Sequence, residues 1–536
     1  MNAEINKNIP DVGQMSLLYP DGDSRRADMS ESSAAASALG FDEYFDMKSA
    51  ALSDFFTTDP EVIKYRGESV RDVTEVPESL EVLRRCVPIM ADIADLRRLG
   101  SDADATDEYL YSITEVELYM SLIDLLKEEF LPLKDRLTSK GMKALCGRVE
   151  YLSESEGYRE INRSLRELSE RVREIKSVTV GLNLDSRLFP ESAGLLSVNG
   201  EKFRTGQKLE RLLRLDFKQG DYDCVAPLVE PQRAFSTSEN EGLRAAALSA
   251  LGTVFKSSFK SWRRIVRTYV LENTDFLLGM LPEIEFLSSA GAFLAKLKER
   301  GVTLSYPEVS TDGRTLAAVG LVNPMIALAT DGSIVPNDVG FDSDAGIYVI
   351  TGPNRGGKSV FTCAVGQAVV MAQLGLPVCA GSFSLSVCDN VFCHFPTGDD
   401  TVERGRLGEE CSRLADIVSK ITPKSLVLLD ESLSSTGSYE ATAIAEEVLS
   451  GLAAVGCRAI FSTHLHTLAA DVDAVNSRVA GHGGVKIDNL VAEIAQGERS
   501  FKIRRAAPEG KSYASDIARR YGLSFEEIMK RAENNG

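Results

Sequence analysis

Gly352-Pro353-Asn354-Arg355-Gly356-Gly357-Lys358-Ser359 fits the pattern G-x-x-x-x-G-K-S/T at every fixed position. Glycines at this spacing let successive backbone N–H groups turn inward around a phosphate, and a helix beginning at the lysine adds a favourable dipole. The chemistry predicted is binding of a nucleoside triphosphate. Lys358 is expected to reach the β- and γ-phosphates, and the Ser359 hydroxyl to hold Mg²⁺. A second group follows about seventy residues on, where Leu426-Val427-Leu428-Leu429 runs into Asp430-Glu431. An acid closing an apolar strand suits the metal's coordination shell, and a second acid suits a water nucleophile, so Asp430 is the expected Mg²⁺ partner and Glu431 the expected catalytic base. His464, in Phe461-Ser462-Thr463-His464, stands just past a third apolar run and is the candidate γ-phosphate sensor.

These groups need particular elements to hold them. Ile347-Tyr348-Val349-Ile350, Leu426-Val427-Leu428-Leu429 and Ala459-Ile460-Phe461 are short apolar runs with helix-like stretches between them. That alternation predicts a parallel sheet covered on both faces, with the glycine loop between a strand and the helix that continues through Val360. Upstream the pattern differs. From residue 41 to about 137 apolar residues recur at three and four, as helices do, and residues 158–176 continue that spacing as one long helix with charged flanks. Val178 to Leu184 alternates like a strand, with Gly194 to Val198 as its expected partner. Residues 1–40 are rich in Ser, Ala, Asp and Gly and are expected to be a loosely ordered lead-in.

The chain has 536 residues, 43% hydrophobic and 26% charged, the composition of an ordinary globular protein with a sizeable core. No run of about 18 apolar residues is evident, so no membrane span is expected. The N-terminal stretch has no apolar signal-peptide segment. Nine scattered cysteines suit a reducing compartment, so the expected location is cytoplasmic. The net charge of −19 argues against a polyanion partner taken whole, although a local basic surface is enough to bind one. Lys202, Arg204, Lys208, Arg211, Arg214 and Lys218 form such a cluster. Lys256, Lys260, Arg263, Arg264 and Arg267 form another, beside an apolar face of Phe255, Phe259, Trp262 and Val266.

Taken together, Thr351 to Ser359, Leu429-Asp430-Glu431, Thr436, Tyr439, Ser462-Thr463-His464 and Gly510-Lys511-Ser512-Tyr513 resemble the MutS family of DNA mismatch-repair ATPases in order and spacing. Pro353-Asn354 is what separates this loop from phosphate loops in general. The resemblance implies an ABC-like P-loop ATPase domain over residues 320–510. It implies a mostly α-helical core and lever domain over 41–319, with a small β-containing clamp inserted at about 177–235. A C-terminal helical dimerisation segment would occupy 511–536. It further implies ATP and Mg²⁺ as ligands, a homodimer with nucleotide sites at the subunit interface, and an adenine-lining stretch at Ile334 to Asp338 that gives Ile334 and Asn337 as nucleotide contacts. Departures are visible. Ile334 replaces an aromatic, Arg355 replaces an apolar loop residue, and Gly405 stands where the family carries a serine. No counterpart of the family's mismatch-probing N-terminal domain is expected, nor a nuclease domain after the ATPase.

The function expected on this resemblance is an ATP-gated dimeric clamp on duplex, mismatched or branched DNA, serving repair or recombination and contacting phosphates more than bases. Lys202, Arg204, Lys208, Arg211, Arg214 and Lys218 are then the DNA-contact candidates, and a protein of the repair machinery is a possible further partner. The alternative is an ABC-like ATPase whose helical arms bind a protein without touching DNA, which the acidic balance favours. A transporter ATPase subunit is disfavoured, because no L-S-G-G-Q-like segment precedes Asp430.

Overall fold

The computed structural model describes residues 15–21, 32–100, 105–163, 176–187, 190–202, 204–205, 223–224, 271–332, 334–342, 345–396, 406–495 and 498–508, with positions 521, 525 and 527–529 beyond. The chain divides into two compact units. One comprises residues 1–15, 81–135 and 144–281, and the other residues 16–80, 136–143 and 282–536.

In the first unit the described elements are helices, one hairpin and one pair of short strands. The hairpin pairs β1 (Ser177–Leu184) with β2 (Pro190–Asn199), the partners expected; they run antiparallel, with Val178 opposite Val198 and Gly181 opposite Gly194. Two short strands, β3 (Arg204–Thr205) and β4 (Asp223–Cys224), pair in parallel. Residues 156–163 are helical, as predicted for that stretch; the remainder of the expected long helix, 164–175, lies outside the described residues.

The second unit holds two sheets. The smaller runs in the order β5 (Glu308–Ser310), β9 (Ser382–Ser386), β6 (Leu316–Leu321), β7 (Asn337–Phe341). The larger has the order β10 (Val391–His394), β11 (Leu426–Asp430), β12 (Arg458–Ser462), β8 (Ile347–Thr351), β13 (Ile487–Ala495), β14 (Glu498–Arg505). Its first five strands are parallel, and β14 closes the edge antiparallel to β13. Strands β8, β11 and β12 are buried along their whole length, which explains why they read as unbroken apolar runs rather than alternating ones. The buried polar residues of these strands stand at their ends: Thr351, Asp430 and Ser462 last, and Arg458 first. Arg458 in β12 donates to the carbonyls of Ser386 at 2.6 Å and Lys424 at 2.9 Å, tying the larger sheet to the smaller.

Part of the stretch predicted to be loosely ordered is core. Leu17 and Leu18 are 0% exposed. Glu283 accepts from Ser16 Oγ at 2.8 Å and from the Leu17 amide at 2.6 Å, and Ser69 Oγ donates to the Leu17 carbonyl at 2.6 Å. The Ser32–Ala38 helix follows, and Ser32 Oγ accepts from the Val391 amide of β10 at 2.9 Å. Composition hid this because the anchoring acid is Glu283, more than 260 positions away. Glu283 sits in the Leu271–Glu299 helix, whose 275–299 stretch is long and apolar enough to span a bilayer. Its apolar residues are instead spent on core, with Phe286, Leu287, Ala290, Phe293 and Leu294 essentially fully buried.

The Lys358–Gln373 helix lies against β11, and glycine permits the approach. A Cβ on Gly366 would stand 2.4 Å from Leu428 Cδ1. Gln367 donates to the Leu39 carbonyl at 2.9 Å, so the N-terminal segment also holds this helix in place.

Candidate functional site

Three parallel neighbours, β11, β12 and β8, end at one level: Asp430 pairs with Ser462, and Ser462 with Ile350. Ligands in open α/β sheets settle outside such carboxyl ends, and the predicted groups collect there. The loop leaves β8 at Gly352, whose φ of 138° and whose closeness to β13 both exclude a side chain; a Cβ there would lie 2.7 Å from that of Ala492. Gly357, with φ 93°, caps the Lys358–Gln373 helix, and the Gly356 amide closes a turn onto the Pro353 carbonyl at 3.1 Å. Lys358 is 4% exposed, and its Nζ donates to the carbonyls of Gly352 and Pro353, each at 3.2 Å. Burial lowers its pKa, while the carboxylates of Glu431 and Asp430 act to raise it.

Asp430, the last residue of β11, is 7% exposed, and its Oδ1 is buried with no hydrogen-bond partner among the described residues. A buried carboxylate oxygen costs free energy unless something pairs with it. Hard oxygen donors of this kind, with the Ser359 hydroxyl at the start of the adjoining helix, fit Mg²⁺. Glu431 follows in the left-handed region at φ 47°, and Leu433 repeats that conformation at φ 65°. Non-glycine residues held there cost on the order of 1–3 kcal/mol each and persist where the surroundings over-determine them. Here the Glu431 amide donates to the Ser462 carbonyl at 2.9 Å, Leu433 is buried in the core, and Glu431 Oε1 lies 2.8 Å from His464 Nε2. A carboxylate only accepts, so Nε2 carries the proton in that contact.

A cavity of about 520 Å³ opens beside the loop. Residues 355–361, Ile334, Asn337 and Glu431 line it, so both predicted members of the adenine stretch stand at the cavity wall. Asn337 also clasps β7 to β14, because its Nδ2 donates to the Phe501 carbonyl at 3.1 Å and its Oδ1 accepts from the Ile503 amide at 2.8 Å.

Sequence reasoning missed three contributors. Phe501 lines the cavity at φ 57° and 47% exposure, within 3.7 Å of where a Gly357 Cβ would be. Asn323 lines it too, donating to the Val360 carbonyl at 3.0 Å. His394, 2% exposed at the end of β10, holds Ser432 Oγ at 2.7 Å from Nδ1 and so braces the turn that carries Glu431. No spacing rule links these residues to the loop; Phe501 is about 140 positions past it.

His394 gives a pH prediction. Burial, and after it the charge of Arg413, lowers its pKa from 6.5 to about 4. Between those values the unfolded chain binds the proton more readily, so this contribution to stability is complete above about 6.5 and is lost as pH falls towards 4, by up to about 3 kcal/mol. Urea unfolding at pH 7 and pH 5 is expected to show a smaller loss in His394→Asn, which keeps an acceptor for Ser432 but does not titrate. Equal losses in the two proteins would contradict it.

Of the DNA-contact candidates, Lys202 is exposed beyond β2, and Arg204 begins β3. Lys208, Arg211, Arg214 and Lys218 lie outside the described residues, as do the 256–267 basic face, Gly405 and most of the C-terminal segment.

A glycine-rich loop between a buried strand and a helix faces an acid pair at the end of a neighbouring parallel strand, within a mixed α/β unit. The comparisons make the class specific. Residues 348–535 match MutS domain V, the family's ATPase domain, and residues 58–301 match the MutS2 N-terminal domain. Both matched stretches are thus similar to domains of MutS-family proteins. It is 40% identical over 153 residues to the DNA mismatch repair protein MSH3 of Cryptococcus neoformans, covering 28% of this chain and 13% of that protein. It is 27% identical over 339 residues to the DNA mismatch repair protein MutS of Shouchella clausii, covering 61% and 36%. It is 33% identical over 249 residues to the MutS protein of Methanococcoides burtonii, covering 45% and 27%. The chain thus spans little more than a third, at most, of the length of these relatives.

Proposed function

We propose that this protein binds and hydrolyses MgATP in the cavity beside the glycine loop, and that the cycle gates a dimeric clamp on duplex, mismatched or branched DNA in repair or recombination. The observation that carries the reading is the meeting of Lys358, Ser359, Asp430, Glu431 and His464 at the ends of three parallel strands. Lys358 and the loop amides hold the triphosphate. Ser359 and Asp430 hold Mg²⁺, which when bound supplies charge neutralisation to the phosphates. Glu431, aligned by His464, accepts the proton of the attacking water. The adenine lies along Ile334 and Asn337.

The homodimer is part of this proposal. Phe525, Ile528 and Met529 in the C-terminal segment are 79%, 49% and 42% exposed, an apolar surface that a second copy would cover. DNA binding rests on the names of the relatives, DNA mismatch repair proteins, and on the basic cluster beginning at Lys202. A cytoplasmic location accords with eight of the nine cysteines, all but Cys224, being free thiols.

The test is a salt titration of binding to a panel of duplex, mismatched and branched DNA, with and without MgATP. Affinity is expected to fall steeply with salt, and the triple variant Lys208→Ala, Arg211→Ala, Arg214→Ala to bind at least about tenfold more weakly with a shallower slope. Absence of binding at low salt would leave the protein-binding alternative, in keeping with the net charge of −19.

A further inference from the structure

We propose that Arg355 is a catalytic residue, an arginine carried on the phosphate loop itself that neutralises charge on the phosphoryl group as it transfers. The inference rests on the ATPase reading above and adds a residue to it.

Only two cationic side chains, Arg355 and Lys358, line the cavity among the described residues, with Glu431 as its one acid. Lys358 is buried low in the loop, with its ammonium on two loop carbonyls. Arg355 is exposed at the cavity wall and makes no ion pair or hydrogen bond among the described residues. A triphosphate carries more negative charge than one divalent ion and one ammonium cancel. A second cation at the same wall is therefore complementary to the ligand, and a planar guanidinium presents paired donors to phosphoryl oxygens where an ammonium presents a point.

The backbone supplies an independent argument. Arg355 sits at φ 60°, a conformation glycine adopts without penalty and other residues adopt at a cost. Two glycines follow it directly, so the loop is built from the residue type that would relieve the strain. Strain retained beside a binding cavity points to what the side chain does there. Its outward position also leaves it disengaged from the protein until a ligand arrives. Its contribution is then larger for the phosphoryl group in transfer than for the ground state.

Arg355→Gly, Arg355→Met and Arg355→Lys test this in the full chain. In Arg355→Gly and Arg355→Met, kcat for ATP is expected to fall at least about a hundredfold, with KM and equilibrium MgATP binding within about threefold of the parent. Arg355→Lys is expected to fall between them and the parent. Arg355→Gly should melt at or above the parent temperature, since it removes the strained side chain, which separates catalysis from folding. A readout apart from turnover is capture of MgADP with aluminium fluoride: the parent should retain the nucleotide through gel filtration, and Arg355→Met should not. Turnover within about threefold of the parent in Arg355→Gly, or MgATP affinity lost in step with kcat, overturns the proposal. If the parent itself takes up no MgATP, the ATPase reading fails first; if it binds and hydrolyses MgATP and Arg355→Gly does so equally, this inference alone fails.

Discussion

Glu431→Gln is expected to bind MgATP as the parent does and to turn it over at least about a hundredfold more slowly, because general-base catalysis of this kind contributes roughly 10²–10⁴. Glutamine keeps the size of the side chain and an oxygen for His464 Nε2, which lies 2.8 Å from Glu431 Oε1. What it loses is an oxygen able to accept a proton. The turn itself should survive, because it is fixed by groups the substitution leaves alone: the Glu431 amide on the Ser462 carbonyl, Ser432 on His394, and Leu433 in the core. Single-turnover phosphate release, read beside equilibrium nucleotide binding, is the measurement. A variant that hydrolyses at the parent rate would mean that another group positions the water.

Lys358→Ala is expected to weaken MgATP binding by at least about a hundredfold, the loss of charge-assisted hydrogen bonds to a polyanion. Folding should not suffer. The ammonium is buried and its pKa is lowered by that burial, so its removal relieves a desolvation cost while the loop carbonyls of Gly352 and Pro353 lose one donor. The variant should therefore melt within a few degrees of the parent while losing its nucleotide. Unchanged affinity would separate the glycine loop from the ligand, and a large fall in melting temperature would give Lys358 a structural role instead.

Much of this site was legible because its residues are consecutive. The loop from Gly352 to Ser359, the acid pair at 430 and 431, and His464 each follow a short apolar run, and buried parallel strands leave that mark directly in sequence. The hairpin at Val178 was legible for a similar reason, since alternation survives wherever one face differs from the other. What was not legible is whatever depends on distant pairing. Phe501 reaches the cavity only because β14 closes the sheet beside β13, where the Asn337 side chain holds the strand through the Phe501 carbonyl and the Ile503 amide. His394 braces Ser432 because β10 and β11 are neighbours. The lead-in was misjudged for the same reason. Ser16 to Leu18 lie in a stretch without periodicity, and Glu283 and Ser69, far along the chain, supply the partners for the Leu17 backbone.

The mechanism requires the cavity beside Lys358 to take up a nucleoside triphosphate with its metal. Titration of the purified chain with MgATP, with phosphate release followed on the same preparation, measures this most directly. One nucleotide per chain, displaced by excess ADP and slowly converted to phosphate, is the expected result. A chain that stays folded and takes up no MgATP at millimolar concentration would contradict the nucleotide site, and with it the gated clamp.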